Sequence, residues 1–192
     1  MDLSNLLGSL LSEGQTINDI AKKVGARPEE VQKAAKMSVP TLVEALNKNA
    51  EDEEKRASLN KALEDHSEDN VEDLQGFLKN IDLQDSQKML GHILGGKKTQ
   101  VESNISKSSG LSSGQVTSVL AMLAPILIGI LGKKKKAENI SKDKLPDLTG
   151  SLGNILGGGS GGGIMDMAKK ILDKDQDGSI MDDLMGGFFG KK

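Results

Sequence analysis

The chain has 192 residues, with 25 basic and 28 acidic side chains and a formal net charge of −3 at pH 7. This length accommodates one domain of about 130 residues with a smaller appendage. The mildly acidic balance disfavours wholesale nucleic-acid binding, which goes with an excess of basic residues. The sequence has no cysteine, which excludes disulfides and thiolate chemistry, and its aromatic residues are three phenylalanines. A hydrophobic core must therefore be aliphatic.

The N-terminal segment predicts a short amphipathic helix that ends at Gly14. Five leucines recur there at helical spacing, namely Leu3, Leu6, Leu7, Leu10 and Leu11. Asp2 lies where a secretory signal carries positive charge, and no small-residue cleavage site follows an apolar run. We therefore expect a cytoplasmic protein.

The next stretch predicts a helix, a tight turn and a second helix. Thr16 is the expected N-cap of the first helix, and Gly25 is its expected left-handed stop. Pro28 suits the first turn of the second helix, where its missing N–H is not needed. Pro40 falls inside this second helix and is expected to kink or break it.

Residues 105–131 repeat residues 20–46 with a displacement of 85 positions and no gap. The matching positions include a glycine and a proline, which carry backbone information. The identical pairs are Ile20/Ile105, Lys22/Lys107, Gly25/Gly110, Val31/Val116, Met37/Met122, Pro40/Pro125, Leu42/Leu127 and Leu46/Leu131. The sequence thus predicts two related helix-turn-helix hairpins that face each other.

The rest of the chain also reads as helical. Short apolar clusters predict three helices between the two hairpins, and one more apolar stripe follows residue 144. No β-branched alternation of strand length occurs. We therefore predict an all-α helical bundle over residues 1–136, a helix and a Gly-rich linker over residues 137–163, and an acidic helix-loop-helix tail over residues 164–192.

The most apolar stretch of the chain runs from residue 116 to residue 131. As a helix it would span about 24 Å, which is shorter than the roughly 30 Å hydrocarbon core of a bilayer. It contains Pro125 and Gly129, and the chain has no Trp or Tyr for an interfacial belt. A buried core helix is favoured. The alternative is peripheral membrane association through residues 116–136, whose terminal lysines could contact anionic lipid.

The tail contains the spacing of a calcium-binding loop. Carboxylates at every second position, followed by Gly178, let the oxygen atoms of one short loop converge on a hard cation. Ser179 would contribute its backbone carbonyl oxygen. The predicted metal ligands are Asp173, Asp175, Asp177, Ser179 and Asp183.

This loop departs from an EF-hand at the closing position. Leu184 stands where the bidentate glutamate belongs, so Asp183, one residue early, or Asp182 would have to close the site. We expect weak binding of Ca²⁺, with Mg²⁺ as the other candidate ion. The competing interpretation is an acidic turn in which Asp177 or Ser179 caps the last helix.

A second binding hypothesis concerns the first hairpin, which looks like a DNA-reading helix-turn-helix. Its basic and amide side chains could face the major groove, but Glu29 and Glu30 would then meet phosphates. A structural hairpin is the favoured interpretation. The two histidines lie apart, and no nucleophile stands beside a base, so we predict a protein that is not an enzyme.

Several segments together resemble a known bacterial family. They are Gly25, Val31, Pro40 and Leu42 in the first copy, the segment Leu90–Lys97, and Leu123–Ala124–Pro125–Ile126 with the lysines that follow. The set resembles the YidB-like family, domain of unknown function number 937, and the acidic tail is similar to that of many members. The resemblance implies an all-helical bacterial protein with no established activity. We expect a non-enzymatic binding or scaffold protein that contacts an unidentified protein or associates with itself.

Overall fold

The structure is a computed structural model that describes Leu7, Gly8, Leu10, Leu11, residues 14–157 and residues 163–173. Within these residues the regular structure is helical, with no β-strand, which confirms the all-α class. The helices are α1 (Gln15–Val24), α2 (Pro28–Glu51), α3 (Glu53–Asp65), α4 (Leu74–Asn80), α5 (Leu83–Leu94), α6 (Lys98–Ser109), α7 (Ser113–Ala137), α8 (Leu145–Leu156) and α9 (Gly163–Asp173). Short 3₁₀ turns, Gly95–Lys97 and Lys142–Lys144, precede α6 and α8.

The two long helices, α2 and α7, pack against each other at the centre of the bundle. The helices α3, α6, α8 and α9 surround α2, while α3 and α5 pack on α7. Every residue of α7 from Val119 to Gly132 is buried. By length and composition α7 could cross a membrane, and 78% of its most apolar window is buried inside the bundle. The apolar run therefore supplies the core of this fold.

The predicted boundaries of the first hairpin are partly correct. The first helix ends at Gly25, which has a φ of 65° as the left-handed stop requires. The prediction that Thr16 is its N-cap is wrong. Gly14, with extended backbone, occupies the N-cap position, and Thr16 is buried in the first turn. Burial of the threonine methyl in the core outweighs a side-chain cap at this position.

Neither buried proline ends its helix. Of the two expected outcomes, a kink or a break, the break is excluded, because α2 continues past Pro40 to Glu51 and α7 past Pro125 to Ala137. Close to Pro40, the Thr41 hydroxyl donates a hydrogen bond of 2.7 Å to the Met37 carbonyl oxygen. Burial around both prolines stabilises helices that a proline alone would weaken by about 3 kcal/mol.

The two sequence copies have matching local structure. The first residues of the long helices, Pro28 and Ser113, are 85 positions apart, and Gly25 and Gly110 both have positive φ. The Gln115 side-chain amide links the copies by donating to the Gly25 carbonyl oxygen at 3.1 Å. The derivation of the bundle from two related hairpins stays a prediction.

Two glycines let α3 and the following loop approach α7 closely. A Cβ atom at Gly132 would lie 2.3 Å from the backbone oxygen of Leu63, and one at Gly129 would lie 2.6 Å from a methyl group of Val71. Side chains at these positions would force the backbones apart. The glycines therefore fix the position of α3 over α7.

The helix that begins the predicted tail packs on the bundle. Ala168, Ile171 and Leu172 of α9 are buried, and α9 contacts α2 and α6. The buried side chain of Asn104 donates a hydrogen bond of 3.1 Å to the Ile171 carbonyl oxygen. The Gly-rich linker thus separates α9 from the bundle along the sequence but not in space.

Candidate binding groove

Three aspartates set the starts of the helices that form a surface groove. Asp52 accepts hydrogen bonds from the backbone N–H groups of the first turn of α3, and Asp82 does the same for α5. Asp73 accepts a 2.9 Å hydrogen bond from the Gly76 N–H in α4. Such N-caps typically stabilise a helix by about 1 kcal/mol, and they fix where each short helix begins.

The groove lies between α3 on one side and α4 with α5 on the other. Leu46 of α2 and Pro125 and Ile128 of α7 form its floor. It encloses about 1240 Å³. This volume exceeds the range of about 300–1,000 Å³ that is usual for pockets that bind small molecules.

The walls of the groove carry apolar side chains that are not fully covered. Ala62, Phe77, Ile81 and Met89 line the groove, and each is half-buried. Phe77 is the one aromatic residue in the part of the chain that the structure describes. Leu59 and Ile93 lie deeper in the same lining. The result is an apolar strip that stays accessible to a ligand.

The rim of the groove carries more negative than positive charge. Its carboxylates are Glu54, Asp65, Asp69, Asp73, Asp82 and Asp85, and its lysines are Lys55, Lys61 and Lys88. Each lysine already forms an ion pair with a carboxylate three or four residues away. Because the rim has six carboxylates and three lysines, it has a net negative charge and attracts positive charge.

The ion pairs on the rim change the ionisation of the lysines. The hydrogen bond to Asp65, 2.6 Å long, raises the pKa of Lys61 above its ordinary value. The hydrogen bond to Asp85, 2.9 Å long, raises the pKa of Lys88 in the same way. Both shifts favour the charged form of the lysine.

The basic run at the end of α7 is engaged by acidic residues from the α3 side. Lys135, 13% exposed, donates to Glu64 at 2.9 Å, and Lys136 pairs with Glu68. Lys133 lies 3.8 Å from Glu72. The remaining lysine of the run, Lys134, pairs within α7 and its C-cap. The hydrogen bonds from Lys135 and Lys136 lower the pKa of the Glu64 and Glu68 carboxyls below their ordinary values.

The first hairpin offers little surface for reading DNA. Arg27 is held by Glu30 at 2.6 Å, which raises the pKa of the guanidinium through a hydrogen bond and also lowers the pKa of Glu30. From Met37 onward most of α2 is buried in the bundle. The part of α2 that could enter a groove of DNA is therefore confined to its first turns.

The predicted cation site falls almost wholly outside the described residues. Asp173 is the last residue of α9, whereas Asp175, Asp177, Ser179 and Asp183 lie outside the described residues. Among the residues that the structure describes, no group of three or more histidine or acidic side chains is arranged to hold a metal ion. The cation site stays a prediction.

Sequence reasoning missed the groove itself. Its apolar strip comes from helices that are separated along the chain, so no local pattern brings Ala62, Phe77 and Met89 together. One signal was present: the segment 51–73 holds ten acidic residues beside only a few core positions. Such a segment indicates an exposed, acidic helix face, but it does not locate the apolar strip beside it.

The helical bundle with its open surface groove defines an all-α protein. The family described as "Bacterial protein of unknown function (DUF937)" matches residues 5–134, and the chain belongs to this family. The resemblance seen in the sequence is thereby confirmed. Comparison with curated proteins gave no match, and comparison with solved structures gave none either.

Proposed function

We propose that this protein is a non-enzymatic binding protein whose groove between α3 and α4–α5 holds a helical segment of a partner protein. The observation that carries the proposal is the strip of half-buried apolar side chains in a preformed cleft of about 1240 Å³. An amphipathic helix laid into an apolar groove is a recurring mode of protein recognition. The volume is also larger than a typical small ligand needs.

The dimensions of the groove suit a short helix. The α3 wall has 13 residues, which corresponds to a length of about 20 Å. About three and a half turns of a partner helix would lie along it, with apolar residues at positions i, i+3 or i+4, and i+7. Met89 has a flexible thioether that adapts to partners of different shape.

Methyl NMR of the full chain tests this proposal. The probes are two 16-residue amphipathic peptides with one leucine face in common, one with lysine and one with glutamate on the polar face. We expect at least one peptide to shift the methyl signals of Met89 and Ile81. Phe77→Glu should abolish the shifts, because it places a charge in the apolar strip.

The matched control is Leu83→Glu, at an apolar residue of α5 that is 38% exposed and lies outside the groove lining. It should leave the shifts intact. If neither peptide moves the Met89 and Ile81 signals, the proposed function is wrong.

We further propose that the tail binds Ca²⁺ or Mg²⁺ through Asp173, Asp175, Asp177, Ser179 and Asp183. The support is the alternate spacing of carboxylates before Gly178. Calorimetric titration of the full chain with each ion should give a saturable heat that Asp175→Ala abolishes. Asp166→Ala, which removes an exposed carboxylate of α9 outside the motif, is the control. No saturable heat in the unaltered chain would refute the cation site.

The alternatives from the sequence have less support. Membrane association through residues 116–136 would require the lysines at the end of α7, which pair with Glu64, Glu68 and Glu72. DNA binding through the first turns of α2 would bring the acidic side chains Glu29 and Glu30 against phosphates. The cytoplasmic location stays a prediction.

A further inference from the structure

We infer that the segment held by the groove is a basic amphipathic helix, with lysine or arginine flanking its apolar stripe on both sides. This inference rests on the proposed function and specifies the chemistry of the partner. Three observations support it. Carboxylates lie on both walls of the groove, the lysines of the groove form local ion pairs, and the basic run of this chain, at the end of α7, is paired with acidic residues.

Carboxylates stand on both sides of the apolar strip. Glu54 and Asp65 belong to α3, while Asp82 caps α5 and Asp85 lies in its first turn. A helix lying in the groove has two flanks, one against each wall. Both flanks would face negative charge, so both favour cationic side chains.

The lysines of the groove do not cancel this field. Lys61 and Lys88 lie 2.6 Å and 2.9 Å from Asp65 and Asp85, and Lys55 lies 3.5 Å from Asp52. Six carboxylates line the groove against these three cations. The groove therefore keeps a net negative charge, which would repel an acidic partner helix and attract a basic one.

Long basic side chains also suit the apolar strip. The methylene stems of lysine and arginine can lie along apolar surface while the charged ends reach the rim. An arginine could in addition stack on the face of Phe77. The same residues that extend the apolar contact would thus meet the carboxylates.

A different chain, rather than a second copy, is the occupant that fits. The basic run of this chain lies at the end of α7, where Lys135 and Lys136 pair with Glu64 and Glu68. The helix that carries it is buried from Val119 to Gly132. A second copy would have to unfold its own core to offer this helix.

The test is a fluorescence-anisotropy titration of the full chain with three labelled 16-residue peptides that share one leucine face. Their polar flanks carry lysine, glutamine or glutamate. We expect the lysine peptide to bind at least about tenfold more tightly than the glutamine peptide at low salt, and the glutamate peptide to bind most weakly. Raising the NaCl concentration to about 0.5 M should shrink these differences, because the rim is open to solvent.

A charge-reversal variant tests whether the carboxylates of the groove cause the preference for the lysine peptide. The double variant Glu54→Lys/Asp85→Lys changes one exposed carboxylate on each wall and should lower the affinity for the lysine peptide at least about tenfold. The control Glu29→Lys/Asp143→Lys makes the same change in net charge at exposed positions outside the groove. It should alter the affinity less than about threefold at moderate ionic strength.

The outcomes separate the two levels of the proposal. If the glutamine or glutamate peptide binds as tightly as the lysine peptide and shifts the Met89 and Ile81 methyl signals, the groove binds helices but the inferred basic chemistry is wrong. Equal losses in the groove variant and the control would also overturn the inference, because net charge alone would explain them. If no peptide binds and no methyl signal moves, the proposed function fails as well.

Discussion

The chain from Glu64 to Asp73 contains two rows of carboxylates with different surroundings. One row consists of Glu64, Glu68 and Glu72, which pair with lysines of α7. The other row consists of Asp65, Asp69 and Asp73, each one residue further along, which line the groove. Adjacent residues in one acidic segment thus either form ion pairs with α7 or border an accessible surface.

The difference shows that the residues around a carboxylate, rather than its charge alone, determine its structural role. The row of Glu64, Glu68 and Glu72 pairs with three of the four consecutive lysines at the end of α7, so its charges are neutralised within the chain. The groove row faces half-buried apolar side chains and a few lysines that are already paired. The first arrangement connects the α3 side to α7, whereas the second places carboxylates with local partners beside an accessible surface.

The largest effect is expected where α3 meets α7. Gly132→Val would place side-chain atoms against the backbone at Leu63 and Ser67, because even a Cβ atom would lie 2.3 Å from the Leu63 oxygen. We expect the free energy of unfolding to fall by about 4 kcal/mol in urea denaturation.

The control for this change is Gly114→Val in the first turn of the same helix, where a Cβ atom would meet nothing within 4 Å. It should alter stability by less than about 0.5 kcal/mol. Equal losses at the two glycines would mean that α3 does not approach α7 as closely as described.

The next effect distinguishes the core from the groove within α4. Leu78 is 1% exposed, whereas its neighbour Phe77 is half-buried in the groove lining. Leu78→Ala should lower the free energy of unfolding by about 3 kcal/mol. Phe77→Ala should lower it by only about 1 kcal/mol, although phenylalanine is the larger residue.

Thermal and urea unfolding of both variants would measure this difference. A greater loss of stability from Phe77→Ala would show that Phe77 belongs to the core, and the apolar strip would then not be a surface open to a partner.

The smallest effect concerns the paired row of carboxylates. The pKa values of Glu64 and Glu68 are lowered by hydrogen bonds from Lys135 and Lys136. A carboxyl whose pKa is lower in the folded chain stabilises the fold above its unfolded pKa, and this contribution is lost as the pH falls through the folded value. We therefore expect Tm to decrease as the pH drops below the ordinary glutamate pKa of 4.5.

Melting curves of the double variant Glu64→Gln/Glu68→Gln should show a lower Tm at neutral pH and a shallower decline in acid. In about 1 M NaCl the two proteins should become more similar, because the carboxylates of both pairs are exposed and salt screens them. A decline that is equally steep in both proteins would show that other carboxylates govern acid unfolding.

The sequence predicted those parts of the fold that local patterns control. Apolar spacing indicated helices throughout, and the glycines at 25 and 110 indicated where the first helix of each hairpin ends. The prediction that Thr16 is the N-cap was wrong. The helix already begins at Gln15, with Gly14 as its N-cap, and Thr16 is buried in the first turn. Of the kink or break expected at the prolines, the break did not occur, because tertiary packing surrounds both positions.

The groove depends on contacts between distant parts of the chain, and so do the ion pairs of Glu64, Glu68 and Glu72 with α7. Lys135 and Glu64 are 71 positions apart, so no spacing rule connects them. From the sequence alone, the lysine run was therefore also compatible with a surface that binds anionic lipid. The predicted cation site shows the opposite case, because its five residues lie within eleven positions and can be proposed from spacing alone.

The packing of α8 and α9 has a consequence for the limits of the folding unit. The family match ends at residue 134, yet α8 and α9, which follow it, both cover α2. Leu148, Leu152 and Ile171 enter the same core as the matched region. A fragment that stopped at residue 134 would expose the apolar side of α2 that α8 and α9 cover. We expect such a fragment to aggregate in water. The family match therefore ends before the folding unit does, because the hydrophobic core also includes residues of α8 and α9.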